Sequence, residues 1–234
     1  MLTIAFPTEY EAGEFVAGLA NRKKINISGV PCYQGAYDNV SVLVVITGMG
    51  MEMAAQRVKK VLAQEHADIF VLAGFAGALN SELKKGQVIV ADRYSSRDLF
   101  DFIRLIPGYD IAALHTAERV ISTPEEKSSL AAQTGCQLVD MEMSAVASVV
   151  RSYGADILGI RVISDEANET VPSKVLAYGY NQAKGQTTPA KMALYLMTHP
   201  WRIGELKKFL SPLEPARHSL TNFVAAVVHE LGQI

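Results

Sequence analysis

The chain has 234 residues, 49% of them hydrophobic and 20% charged. That composition is globular, supplies enough apolar surface for a sizeable core, and excludes a disordered or low-complexity chain. Lys and Arg number 22 against 24 Asp and Glu, so the chain lacks the basic field that general nucleic-acid binding needs. Cys32 and Cys136 lie far apart in sequence. They offer neither a metal-ligand spacing nor a disulfide framework, which suits a reducing cytosol. The opening MLTIAFPTEYEAGEF carries acids where a signal peptide has a basic start. Apolar stretches such as 69–79 fall short of the roughly 20 residues that span a bilayer. The expectation is a soluble, cytoplasmic protein.

In chain order, residues 3–6 read as a short buried strand. Residues 40–46 (VSVLVVI) are β-branched and nearly all apolar, and 69–72, 88–90 and 157–163 share that character. Continuous apolar strands, as opposed to alternating ones, point to a sheet covered on both faces. Helical patterns sit between them. Residues 51–64 place Ala54, Val58 and Val61 on one stripe, with Lys59 and Lys60 off it. Residues 141–153 form another, with Asp140 as its N-cap. Strands alternating with helices imply an α/β domain with a parallel or mixed sheet. From 164 to 188 the residues are loop-like: Asp165, Asn168, Pro172, Gly179, Asn181 and Gly185, with Pro189 just beyond. Helical segments follow at 189–210 and 216–231, the first broken or kinked at His199-Pro200. Nothing resembles a linker, so 1–234 reads as one domain with 188–234 as a helical extension.

Four of the buried strands end in chemically distinctive residues. Pro7-Thr8-Glu9-Tyr10-Glu11 follows the first, and Thr47-Gly48-Met49-Gly50 follows 40–46. Gly74-Phe75-Ala76-Gly77 comes after 69–72, and Ser164-Asp165 after 157–163. In open α/β sheets ligands bind outside the carboxyl ends of strands, and glycines there let backbone approach a ligand closely. Glu142 stands out within LVDMEMSAVASVV. Its helical neighbours at i+3, i+4 and i+7 are Ala145, Val146 and Val149, the apolar face, where a carboxylate is costly unless paired. A buried ion pair, for instance with Arg161, or exposure at the helix's first turn would answer that cost. So would acceptance from two adjacent hydroxyls of a sugar. Asp165 could equally begin a turn or cap a helix. Glu9 and Glu11 fit an exposed first helical turn, with Thr8 as N-cap and Glu11 completing a capping box, which still leaves Glu11 at the strand edge.

TGMGMEM superficially resembles a dinucleotide fingerprint, but Met53 replaces the third glycine and no acid follows at the right strand end, so a nicotinamide cofactor is rejected. The five histidines show no paired spacing, and no metal is expected.

Taken together and in this order, these segments resemble the nucleoside phosphorylase/nucleosidase superfamily, from the first strand to about Pro172. The most specific pieces are Val139-Asp140-Met141-Glu142 and Ile160-Arg161-Val162-Ile163-Ser164-Asp165. Gly48-Met49-Gly50 before Ala54-Ala55, and Gly74-Phe75-Ala76-Gly77-Ala78-Leu79 leading to Lys85-Gly86-Gln87-Val88-Ile89-Val90, support them. The resemblance implies a three-layer α/β/α sandwich around a mixed sheet, and a homodimer. It implies that Met141 and Glu142 hold the ribose, with Glu142 accepting from its hydroxyls. Asp165 would protonate or hydrogen-bond purine N7, and Ser164 would orient it. Glu11 matches the acid that activates water in the hydrolytic branch, where methylthioadenosine/S-adenosylhomocysteine nucleosidases belong. Phe75, Ala76 and Gly77 would line the site, with Gly50 on the substrate as well.

The chemistry suits those roles. Breaking an N-glycosidic bond builds positive charge on the sugar and negative charge on the leaving base. An acid at the base contributes about 10²–10⁴-fold, and a dry cleft would help it hold its proton. A carboxylate at the ribose steadies the positive charge. Phosphorolytic relatives place arginines beside the first strand and just before the glycine segment. Here the turn after the first strand is acid-rich and Val71-Leu72-Ala73 precedes Gly74. A dianion needs cationic partners or a helix N-terminus, so water is the expected acceptor.

Phe75 departs from the small polar residue usual in methylthioadenosine nucleosidases. Glu126-Lys127, Leu130, Thr134-Gly135 and the tail Leu194, His199-Pro200-Trp201-Arg202, Leu206 and Phe209 are more similar to the hopanoid-associated branch, linked to removing adenine from adenosylhopane. That tail mixes Leu194, Met197, Trp201 and Ile203 with Lys191, Arg202, Lys207 and Lys208, a pattern that fits peripheral membrane contact or a helical lid. The expected activity is hydrolysis of a 5′-substituted adenosine-type nucleoside without metal or organic cofactor, carried by Glu11, Glu142 and Asp165. The alternatives are a phosphate-dependent phosphorylase and a nucleoside-binding protein without turnover.

Overall fold

The computed structural model describes residues 2–181 and 186–233. The chain begins β1 (Leu2–Phe6), α1 (Glu9–Ala17), β2 (Ala20–Ile27), β3 (Val30–Tyr37), β4 (Val40–Ile46), α2 (Met51–Leu62) and β5 (Ile69–Ala78). It continues through β6 (Val88–Ala91), α3 (Arg97–Ile103), β7 (Tyr109–Ala112), β8 (Leu114–Thr116), α4 (Pro124–Thr134), β9 (Leu138–Asp140), α5 (Met143–Ser152) and β10 (Asp156–Asp165). The last part holds α6 (Ser173–Gly179), β11 (Tyr180–Asn181), β12 (Gln186–Thr187), α7 (Pro189–Thr198), α8 (Arg202–Leu210) and α9 (Leu213–Leu231).

Ten strands form one mixed sheet in the order β2-β3-β4-β1-β5-β10-β6-β7, with β9 pairing both β5 and β8. Its centre is parallel: β1 pairs with β4 and β5, and β5 with β10. The β2–β3–β4 meander and the β10–β6 pair are antiparallel.

Strand periodicity sends alternate side chains to opposite faces, and both faces are dry. Ala5, Leu43, Val45 and Leu72 join Ala54, Val58 and Val61 of α2 and Val146, Ala147 and Val150 of α5 in one apolar cluster. Ile4, Phe6, Val44 and Val71 join Phe15 and Val16 of α1, Leu99 and Ile103 of α3, and Leu220, Phe223, Val224 and Val227 of α9 in the other. This is the expected α/β/α sandwich, and α9 is built into one of its helical layers. Phe15 shows how α1 docks: fully buried, it stacks on Tyr37 at 5.0 Å and lies 6.0 Å from Phe6. Truncating it to Ala is worth about 3–5 kcal/mol.

Two readings need correction. The helix expected over 141–153 starts only at Met143, because Asp140 still belongs to β9 and its carboxylate accepts from Met143 N–H at 2.9 Å. The stretch 164–188 is not all loop: β10 runs to Asp165, α6 follows, and β11 and β12 pair antiparallel, while Gly185 lies outside the described residues. The tail breaks where expected, with α7 ending at Thr198 and α8 starting at Arg202 around His199-Pro200. Proline lacks the N–H and disfavours a helical residue before it. Among the described residues, no helix is long and apolar enough to cross a membrane.

Candidate functional site

Because β1, β4, β5 and β10 run parallel, their carboxyl ends share one edge of the sheet. The four distinctive strand ends therefore converge, and each expected acid is buried there.

Glu11 sits in the first turn of α1, whose N-cap is Thr8. Its Oε1 accepts from Phe75 N–H at 2.9 Å, and its Oε2 accepts from Thr8 Oγ1 at 2.5 Å. The capping expectation holds for Thr8, which accepts from Glu11 N–H at 3.2 Å. The carboxylate itself reaches across to β5. Burial pushes its pKa up, against the hydrogen bonds from Thr8 and Phe75 and the charge of Arg161 that pull it down.

Glu142 is the N-cap residue of α5. Its Oε1 accepts from Gly50 N–H at 2.8 Å, tying α5 to the turn after β4. Gly50 has φ +92, a left-handed conformation that glycine adopts freely. Burial, reinforced by the nearby charge of Asp140, pushes Glu142 up to about 8. Glu11 adds to that push, so the two glutamates sense each other.

Arg161 does not pair with Glu142. Fully buried, it donates to Asp140 Oδ2 through Nε at 3.1 Å and NH2 at 2.6 Å, and to Leu72 O at 2.9 Å. Asp140 also accepts from Thr116 Oγ1 at 2.8 Å. The guanidinium and the last residue of β9 thus form a buried strut, and Glu142 is left facing the edge.

Asp165 ends β10. Its Oδ1 accepts from Ser164 Oγ at 2.6 Å, and that hydroxyl also lies 3.1 Å from Ala76 O. Gly77 is the register partner of Asp165 on β5, and a Cβ there would stand 3.0 Å from Asp165 Oδ2. The chain leaves that space open by having no side chain. Ser164 and Ala76 are buried, whereas Phe75, Gly77, Gly50 and Met141 are partly exposed at the edge.

Asp165 does not lie in a dry cleft without counter-charge. Lys127, from α4, is fully buried and places Nζ 2.5 Å from Asp165 Oδ2. The same ammonium reaches Glu166 O at 2.6 Å and Glu169 O at 3.1 Å. Sequence reasoning gave Lys127 no role. In PEEKSSLAAQT its neighbours are polar, so local periodicity points to a solvated lysine, and only the meeting of α4 with the β10 end reveals otherwise.

The strand ends offer three buried carboxyl groups: Glu11 and Glu142, close enough to sense each other, and Asp165, paired with Lys127. Buried carboxyl groups gathered at the carboxyl ends of parallel strands suit general acid–base cleavage of a polar bond.

The chain resembles solved structures along nearly its whole length. It aligns with 5′-methylthioadenosine/S-adenosylhomocysteine nucleosidase of Neisseria meningitidis at a TM-score of 0.73 and 16% identity, covering 97% of each chain. The corresponding enzyme of S. pneumoniae gives 0.74 and 17%, covering 98% of this chain and 99% of that one. Futalosine hydrolase of Helicobacter pylori gives 0.74 and 16%, covering 98% and 97%. At these identities the likeness establishes the fold. The family model described as the phosphorylase superfamily matches residues 1–118 and 112–197. The chain belongs to the phosphorylase superfamily.

Proposed function

We propose that the protein is a nucleosidase that hydrolyses the N-glycosidic bond of a 5′-substituted adenosine-type nucleoside. The observation that carries this reading is the position of Glu11. Its carboxylate takes the Phe75 N–H and the Thr8 hydroxyl at the turn where a phosphate acceptor would need donors. A phosphate dianion placed there meets a carboxylate and loses those donors. A water molecule meets a base.

In this reading the Glu142 carboxyl accepts from the ribose hydroxyls, beside Met141, and fixes the position of the sugar against the attacking water. Glu11 takes a proton from water as oxygen attacks C1′. Asp165, oriented by Ser164, addresses the base and relays a proton to N7 as the C1′–N9 electron pair enters the ring. Phe75, Ala76, Gly77 and Gly50 supply backbone and surface around the substrate. The relatives named above are nucleosidases and a hydrolase by their descriptions, which supports the same class.

The 5′ substituent is apolar in this reading, as in a lipid-bearing 5′-deoxyadenosyl compound. The tail that follows the Asp165 edge supports it: Leu194, Met197 and Trp201 are 65, 78 and 66% exposed, more apolar surface than helices of that size need leave in water.

The test is hydrolysis in ¹⁸O-labelled water. The label is expected in the released sugar with phosphate absent. A requirement for phosphate, with unlabelled sugar phosphate as product, would make the protein a phosphorylase. Binding without release would make it a nucleoside-binding protein.

A further inference from the structure

The Lys127–Asp165 pair restricts what the site can recognise. Lys127 Nζ has three contacts, Asp165 Oδ2, Glu166 O and Glu169 O, and all three are acceptors. An ammonium has three N–H groups to give, whereas a neutral amine would turn its lone pair on one of those oxygens. The geometry therefore fits the charged form. The neighbouring carboxylates are committed elsewhere: Glu169 contacts Lys85 at 2.7 Å and Glu166 lies 3.5 Å from Lys84. Asp165 is the carboxylate in contact with the buried ammonium, and a buried charge needs such a partner. Its other oxygen accepts from Ser164. With a donor on each oxygen, the carboxylate retains only lone pairs for a ligand.

A purine shows two patterns on the edge that carries N7. With an amino group at C6 it presents a donor beside the N7 acceptor, and with an oxygen at C6 it presents two acceptors. An unprotonated carboxylate can accept from the first and is repelled by the second. We propose that Lys127 is a specificity-determining residue, which by holding Asp165 as an acceptor restricts the site to 6-aminopurine nucleosides and excludes 6-oxopurine ones. This rests on the reading that Asp165 meets the base.

The pair also accounts for the proton. As the C1′–N9 bond breaks, Lys127 Nζ gives a proton to Asp165 Oδ2, and the carboxyl so formed passes that proton on to N7. One Nζ–H bond is lost and one N7–H bond is formed, and the electron pair of the glycosidic bond stays with the base. Water gives its hydroxyl to C1′ and its proton to Glu11. Proton release from Glu11 and uptake by Lys127, both with solvent, restore the resting site.

The experiment compares matched adenosine-type and inosine-type nucleosides, and free adenine and hypoxanthine, on the wild type, Lys127→Met and Lys127→Arg. The wild type is expected to favour the 6-amino partner by at least about 100-fold in kcat/KM. Lys127→Met is expected to lower that ratio at least tenfold, chiefly through the 6-amino substrate, and Lys127→Arg to keep most of it. Equal losses on both substrates in Lys127→Met would mean that Lys127 merely ties down the chain at Glu166 and Glu169, and would overturn the proposal. If Lys127→Met does not fold, the wild type decides: a 6-oxo substrate accepted within about threefold overturns it. If no nucleoside releases base, the nucleosidase reading fails separately, and calorimetry of the two free bases decides. Adenine preference lost in Lys127→Met would uphold the role of Lys127. Equal binding of both bases, or of neither, would refute it.

Discussion

Gly77 and Asp165 face each other across the β5–β10 pairing, and a side chain on the glycine would press on the carboxylate. The acid reaches its place because its strand neighbour has no Cβ. The same holds three residues earlier on the strand, where a Cβ on Gly74 would stand 3.0 Å from Glu11 Oε1. The glycine segment of β5 thus seats two carboxylates on one strand.

From this follows the effect of Gly77→Ala. The added methyl displaces Asp165 by a few tenths of an ångström, and misplaced catalytic groups lose up to about 10²-fold. The expected outcome is a 10- to 100-fold fall in kcat with about 1–3 kcal/mol of lost stability from overpacking. Steady-state kinetics alongside urea denaturation checks it.

Glu142 makes stability depend on pH. The folded protein holds its proton to about pH 8, while the unfolded chain releases it near the ordinary glutamate value. Between the two the unfolded state binds fewer protons, so stability falls as pH rises through that window, and burial of Glu11 pushes the same way. Glu142→Gln, which keeps an acceptor for Gly50 N–H, should flatten the decline by an amount on the order of a few kcal/mol. Thermal melts from pH 5 to 8 measure it. An unchanged slope in the variant would contradict the assignment.

The Asp140–Arg161 strut is fully buried on both sides at 2.6 Å. Removing one partner leaves a buried uncompensated charge, worth about 3–5 kcal/mol. Arg161→Met should lose that much in urea denaturation, and pairing it with Asp140→Asn should recover part of the loss, since the orphaned carboxylate is then gone. Equal stability of single and double variants would refute the coupling.

In the tail, Met197 and Trp201 are exposed, so Met197→Glu with Trp201→Glu should leave the melting temperature nearly unchanged. If this surface receives an apolar 5′ group, turnover of a lipid-tailed substrate should fall at least tenfold while that of a compact nucleoside stays the same. Equal turnover of the lipid-tailed substrate would exclude the tail from binding the 5′ group.

The central strands were legible because a strand buried on both faces is a run of apolar residues, as in VSVLVVI. β2 was not: ANRKKINI is exposed along almost its whole length, and an edge strand with lysines carries no apolar run to detect. Glu11, Glu142 and Asp165 were visible as acids at strand ends and on an apolar face. Their partners were less so. Asp140 and Glu142 are two residues apart, and either could have faced Arg161. Only the placement of Asp140 inside β9, where it accepts from Thr116 and Met143, decides between them. Lys127 was hidden because its burial comes from elements far away in sequence.

The most direct measurement is chromatographic detection of free base. The purified protein would be offered adenosine, inosine, methylthioadenosine, S-adenosylhomocysteine and a lipid-tailed 5′-deoxyadenosine, each with and without phosphate. Adenine should be released, indifferent to phosphate, from at least one 5′-substituted adenosine-type substrate, and the release should be lost in Asp165→Asn. Release that requires phosphate and yields ribose 1-phosphate would contradict the nucleosidase reading.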